Sequence, residues 1–174
     1  MIKVFVASSN ELEAEREELA GVVQDLNGWL YSRGEDERVA LEKWEYLDSS
    51  MGVDEKQEEY NRALRDCDAA VGLCWRKFGQ YTEREVTVAR EEIRAGRRVR
   101  RLEVWFKEDP AGGGMLPELA SFRKRLPREW RVKERRFASM AELRALFTEM
   151  ALELLEDEGI PMPDEGAREN FKLG

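Results

Sequence analysis

The chain of 174 residues is long enough for one domain with a sizeable core, and 38% of its residues are charged against 42% hydrophobic. Its net charge of −8 argues against general phosphate-backbone binding, and no apolar run approaches the ~20 residues of a membrane helix. The absence of histidine removes serine–histidine triads, cysteine–histidine dyads and most zinc chemistry, and two cysteines, Cys67 and Cys74, cannot build a disulfide framework or a four-ligand zinc site.

In chain order, Ile2 to Ala7 is short, β-branched and nearly uncharged, which predicts a buried strand rather than a signal peptide. Ser8-Ser9-Asn10 breaks it. Asn10 with Glu13 reads as a capping box for a helix to about Tyr31, whose apolar stripe is Leu12, Leu19, Val23, Leu26 and Leu30. Gly34 ends that helix. Val39 to Trp44 predicts a second strand, Glu45 to Gly52 a loop, and Glu55 to Asp66 a second helix. The most apolar segment, Ala69 to Trp75, predicts the central strand. Thr82 reads as the cap of a third helix that Gly96 terminates, with Val86, Ala89 and Ile93 facing the core. Arg101 to Phe106 predicts a fourth strand, Gly112-Gly113-Gly114 a plain loop, Pro117 to Arg125 a helix, and Trp130 to Phe137 a fifth strand. Ser139 with Glu142 caps the last helix, to about Glu156. The composition then turns to Pro, Gly and acids. The domain is therefore expected over residues 1–157, with 158–174 a tail or a linker to a missing domain.

Strands alternating with helices imply a parallel sheet covered on both faces, with right-handed crossovers. For five strands the expectation is an α/β, flavodoxin-like sheet of order 2-1-3-4-5. Ligands of such sheets sit at the carboxyl ends of the strands where the order reverses, here between strands one and three. That places Ser8, Ser9, Trp75, Lys77 and Tyr81 beside the start of the third helix, with Glu45 to Asp48 nearby. The helix start carries two acids, Glu83 and Glu85. Glu85 also fits a capping-box partner of Thr82, Ser8 and Ser9 also fit turn formers, and Trp75 also fits the core. Arg16 reads as the partner of an acid. Trp44, Trp105 and Trp130 read as packing residues. The five arginines between Arg94 and Arg101 read as a solvated helix end or, more sharply, as a phosphate or partner site.

Three stretches, taken in order, resemble the TIR-like domains at the front of bacterial multidomain proteins. They are Val4 to Leu12 with Glu15-Arg16; Trp44 to Asp48 followed by Lys56 to Asn61; and Asp68 to Trp75 continuing through Lys77 to Glu85. The resemblance implies NAD+ cleavage at the nicotinamide–ribose bond, with NAD+ as substrate, no cofactor and no metal. It places the catalytic glutamate on Glu85, with Glu83 the near rival. It places substrate contacts on Ser8, Ser9, Trp44, Asp48, Trp75, Lys77 and Tyr81, with Trp75 or Tyr81 stacking on the substrate. The loop Glu45 to Val53 matches the segment that gates the site and mediates self-association. Cytoplasmic location, anti-phage defence by NAD depletion, and a downstream sensor or effector domain are further implications.

Two rival functions stay open. A nucleoside deoxyribosyltransferase-like enzyme would use a glutamate at the sugar carbon and exchange bases. A non-catalytic TIR-type interaction module would use the charged loops as an interface. Direct nucleic-acid binding and a membrane anchor are not expected. Arg76, Lys77 and Arg84 supply local positive charge suited to a pyrophosphate despite the acidic whole.

Overall fold

The computed structural model describes residues 1–43, 53–77, 82–109, 114–130, 132–164, 166, 168–169 and 171. Among them five strands form one sheet: β1 (Ile2–Ser8), β2 (Val39–Lys43), β3 (Ala69–Cys74), β4 (Arg101–Lys107) and β5 (Lys133–Phe137). The order is β2-β1-β3-β4-β5 and every pairing is parallel, so the expected flavodoxin-like α/β fold is borne out. The helices are α1 (Glu13–Ser32), α2 (Val53–Arg65), α3 (Thr82–Arg94), α4 (Pro117–Arg125) and α5 (Met140–Asp157).

Alternation along the strands sends successive side chains to opposite faces, and both faces are buried. Ile2, Val4, Val6, Val71, Leu73 and Trp105 meet α1 and α5, where Leu19, Leu26, Phe147 and Leu154 complete one core. Phe5, Ala70, Cys74, Val104 and Phe106 meet the other layer through Leu64, Val86, Ala89 and Phe122. The tight fit of α3 on the second face is visible at Gly72, where an added Cβ would lie 2.8 Å from the Val86 Cγ2 methyl. Gly72→Ala is expected to cost about 1–3 kcal/mol through this overpacking. An unchanged urea midpoint would mean that α3 can lift from β3 without penalty.

Helix ends follow the sequence in part. Gly34 and Gly96 take positive φ (74° and 63°) just beyond α1 and α3, the conformation that lets a glycine terminate a helix. The Ser139 hydroxyl accepts from the Glu142 amide at 3.2 Å, while the Glu142 carboxylate reaches back to the Ala138 amide at 2.6 Å. The box expected at Asn10 and Glu13 does not form. Asn10 instead opens a 3-10 turn (Asn10–Leu12), Ser9 stands at its cap position without a side-chain cap bond, and the Leu12 amide is satisfied by the Ser9 carbonyl. The fifth strand is shorter than expected, because Leu126–Trp130 forms a π-helical turn that continues α4 and packs Trp130 edge-on against Phe122 at 5.1 Å. Beyond α5, Phe171 returns to the core. Its ring meets Trp29 at 6.0 Å and its carbonyl accepts from Arg144 Nε.

The arginine run lies before and at the start of β4, at the sheet edge opposite to the strand ends considered below. Arg97 pairs with Glu92, Arg98 with Asp68, Arg100 with Glu158, and Arg101 with Glu103 and Glu153. These four arginines are thus engaged in tying α3, α5 and the sheet together.

Candidate functional site

The carboxyl ends of β1 and β3 lie side by side, with Ser8 in register with Leu73. The chain leaves β1 through Ser8 and Ser9, both buried, and Arg16 from the first turns of α1 folds back under them. Its guanidinium donates to the Ser8 hydroxyl at 2.7 Å and to the Ser9 carbonyl at 2.9 Å. The two serines are therefore fixed by a buried cation rather than left as loose turn formers.

Glu11 joins this loop to the one after β3. Its Oε1 accepts from the Ser9 hydroxyl at 3.1 Å and from the main-chain amides of Arg76 and Lys77, both at 3.3 Å. The Arg76 carbonyl in turn accepts from the Leu116 amide, and the Arg76 guanidinium binds Asp109 at 2.6 Å. Trp75 is half-buried between cations. The Arg76 guanidinium and the Lys107 ammonium each lie 4.3 Å from its ring, and Lys107 also binds the buried Glu15 at 2.6 Å. Cation–π contacts of this kind are worth about 0.5–2 kcal/mol each. The Trp75 indole nitrogen is buried without a hydrogen-bond partner among the described residues. The Lys77 ammonium is exposed and has no ion-pair partner among the described residues.

The two acids at the start of α3 have opposite environments. Glu83 is exposed and pairs with Arg125 at 3.3 Å. Glu85 is 3% exposed, and among the described residues its carboxyl has neither a hydrogen bond nor an ion pair. Burial alone pushes its pKa up to about 8, since nothing nearby offsets the lost hydration of the charged form. The capping box expected between Thr82 and Glu85 is absent. Thr82 already lies inside the helix, and its buried hydroxyl has no partner among the described residues. Facing α3 across the second layer, α2 carries the buried amides Gln57 and Asn61, joined at 3.1 Å. Burial also pushes the Cys67 and Cys74 thiols up to about 12, so neither is a thiolate nucleophile at neutral pH.

Of the residues expected at the site, Ser8, Ser9, Trp75 and Lys77 are gathered at this edge, and Glu85 heads the helix that follows β3. Trp44, Asp48 and Tyr81 lie outside the described residues, as does the expected gating loop up to Gly52. Glu11, Glu15, Lys107 and Asp109 join the site without a role that the sequence pattern alone indicates. Lys107 carried a faint signal, a charge closing the strand whose alternating apolar residues are Leu102, Val104 and Phe106. The link from Glu11 to Arg76 and Lys77 spans 65 and 66 positions and had none. No described helix is long and apolar enough to cross a membrane. No protein-family model matches the chain, and no curated protein matches it in sequence.

Proposed function

We propose that this chain is a TIR-type NAD+ glycohydrolase with Glu85 as its catalytic carboxylate. The observation that carries this reading is the buried Glu85 carboxyl, left without a cationic partner among the described residues. Such a group favours a ligand that brings its own positive charge. NAD+ does so in its nicotinamide ring. As the bond between the ring nitrogen and ribose C1′ breaks, its electron pair goes to the ring, nicotinamide leaves neutral, and positive charge passes to the ribose. A carboxylate beside C1′ stabilises that charge, water adds to C1′ and loses a proton, and ADP-ribose results. No general acid is required, which suits a chain without histidine. Glu83 is the weaker choice because Arg125 and solvent already stabilise its charge. The wider reading, a self-associating cytoplasmic domain in bacterial anti-phage defence with a downstream sensor or effector, rests on the resemblance.

One observation favours the alternative of a non-catalytic interaction module. Trp75 is flanked by Arg76 and Lys107, and the Ser8 hydroxyl is taken by Arg16, so these side chains are already engaged within the chain. Nicotinamide release from NAD+, measured from dilute to concentrated protein with a crowding agent, separates the two. The enzyme reading expects turnover per molecule to rise with concentration. No release at any concentration would leave the interaction module.

A further inference from the structure

The contacts of Glu11 describe an anion site that already holds an anion. Two successive main-chain amides, Arg76 and Lys77, converge on one carboxylate oxygen at 3.3 Å each, and the Ser9 hydroxyl adds a third donor at 3.1 Å. Successive amides aimed at one point form a concavity that binds phosphate oxygens as readily as carboxylate oxygens. The amide bonds to Glu11 are long for N–H···O contacts and lie at the exposed surface. An arriving anion therefore competes with amide bonds that are long and open to solvent. Lys77 stands beside the amides with an exposed ammonium that no described acid neutralises. The Arg76 guanidinium, held by Asp109, adds a second cation at the rim.

We infer that the amides of Arg76 and Lys77 form a phosphoryl-binding subsite that the Glu11 carboxylate occupies as an internal competitor. A diphosphate takes the place of the carboxylate oxygen, Glu11 swings into solvent, and Lys77 closes on the bound anion. The dinucleotide as natural ligand rests on the glycohydrolase reading, whereas the subsite itself does not. If Glu11 is displaced only by a ligand that reaches this point, the contact between the β1 and β3 loops opens only when the diphosphate is seated.

The probe is inorganic pyrophosphate, titrated calorimetrically into wild type, Glu11→Gln and Glu11→Ala at constant low ionic strength. Glu11→Ala should bind about tenfold tighter than wild type, because one like charge and one competing acceptor are gone. Glu11→Gln should fall between them, since its amide oxygen still accepts but carries no charge. In wild type, saturating pyrophosphate should shift the Arg76 and Lys77 amide resonances by nuclear magnetic resonance. This second readout serves if a variant does not fold. Equal or weaker binding by folded variants, or binding that leaves both amides unmoved, would overturn the subsite and make Glu11 a structural tie. Neither readout involves nicotinamide cleavage. A protein inert toward NAD+ but with tighter pyrophosphate binding in Glu11→Ala would lose the glycohydrolase reading and keep the subsite; the reverse pattern would do the opposite.

Discussion

Glu85→Gln is expected to lower nicotinamide release about 10³-fold, roughly 4 kcal/mol of transition-state stabilisation, with the fold retained. The amide keeps the shape of the side chain but cannot answer the positive charge that develops on the ribose. The same variant should show a stability change of defined sign. In the folded chain the carboxyl has its pKa raised to about 8 against 4.5 when solvated. Between those values the folded state holds a proton that the unfolded chain has released. Its contribution is therefore complete below about pH 4.5 and is lost as the pH rises through about 8. Glutamine does not titrate. Relative to wild type, Glu85→Gln should thus gain stability as the pH climbs through this window, by up to about 5 kcal/mol, the span from 4.5 to about 8 at about 1.4 kcal/mol per pKa unit. Urea midpoints at pH 5 and pH 9 measure it. In wild type, turnover should rise toward pH 8, as the free carboxylate becomes more abundant. Full turnover by the glutamine variant would remove Glu85 from the chemistry. A pH-independent stability difference would mean that its charge is compensated in solution.

Trp105→Ala should be the most damaging core substitution in β4, at about 3–5 kcal/mol. The side chain is fully buried against the α1 and α5 layer, and its indole nitrogen donates to Glu103 Oε2 at 2.8 Å. Glu103 is itself buried and bound by Arg101 at 2.9 Å, and Arg135 lies 3.9 Å away. Arg101 and Arg135 extend to Glu153 and Glu149 on α5. Truncation therefore leaves a cavity and removes one donor from a buried carboxylate at once. Trp105→Phe retains most of the volume and loses only the donor, so about 1–3 kcal/mol is expected. For a chain of this size, 3–5 kcal/mol lowers the melting temperature by roughly 10 °C or more. Equal losses for Ala and Phe in denaturant titrations at constant slope would show that the hydrogen bond, not packing, dominates.

The fold was legible from local pattern. Apolar runs such as Val4 to Ala7 and Ala69 to Cys74, separated by helices with 3.6-residue stripes, leave few arrangements other than a doubly wound parallel sheet. Gly34, Gly96 and Ser139 announced helix ends, because those signals lie within a few residues of the bonds they make. Failures arose where one local signal competed with another. Asn10 and Thr82 both looked like caps, yet in each case the backbone began its turn at the residue expected to cap it.

The site was legible only as a location. Sheet topology alone brings Ser8, Ser9, Trp75 and Lys77 to one edge, and the chain order of their types was visible in the sequence. Which of them stay open and which are bound within the chain was not. Glu83 and Glu85 are the same residue type two positions apart, and only the packing of α3 on the sheet exposes one to Arg125 and buries the other. The hold of Glu11 on Arg76 and Lys77, and of Lys107 on Trp75 and Glu15, depends on loops that meet only after the sheet has formed. Periodicity and capping act between neighbours in the chain and can be read from it. Desolvation and long-range ion pairing depend on what surrounds a group in space, and that is decided by the tertiary structure.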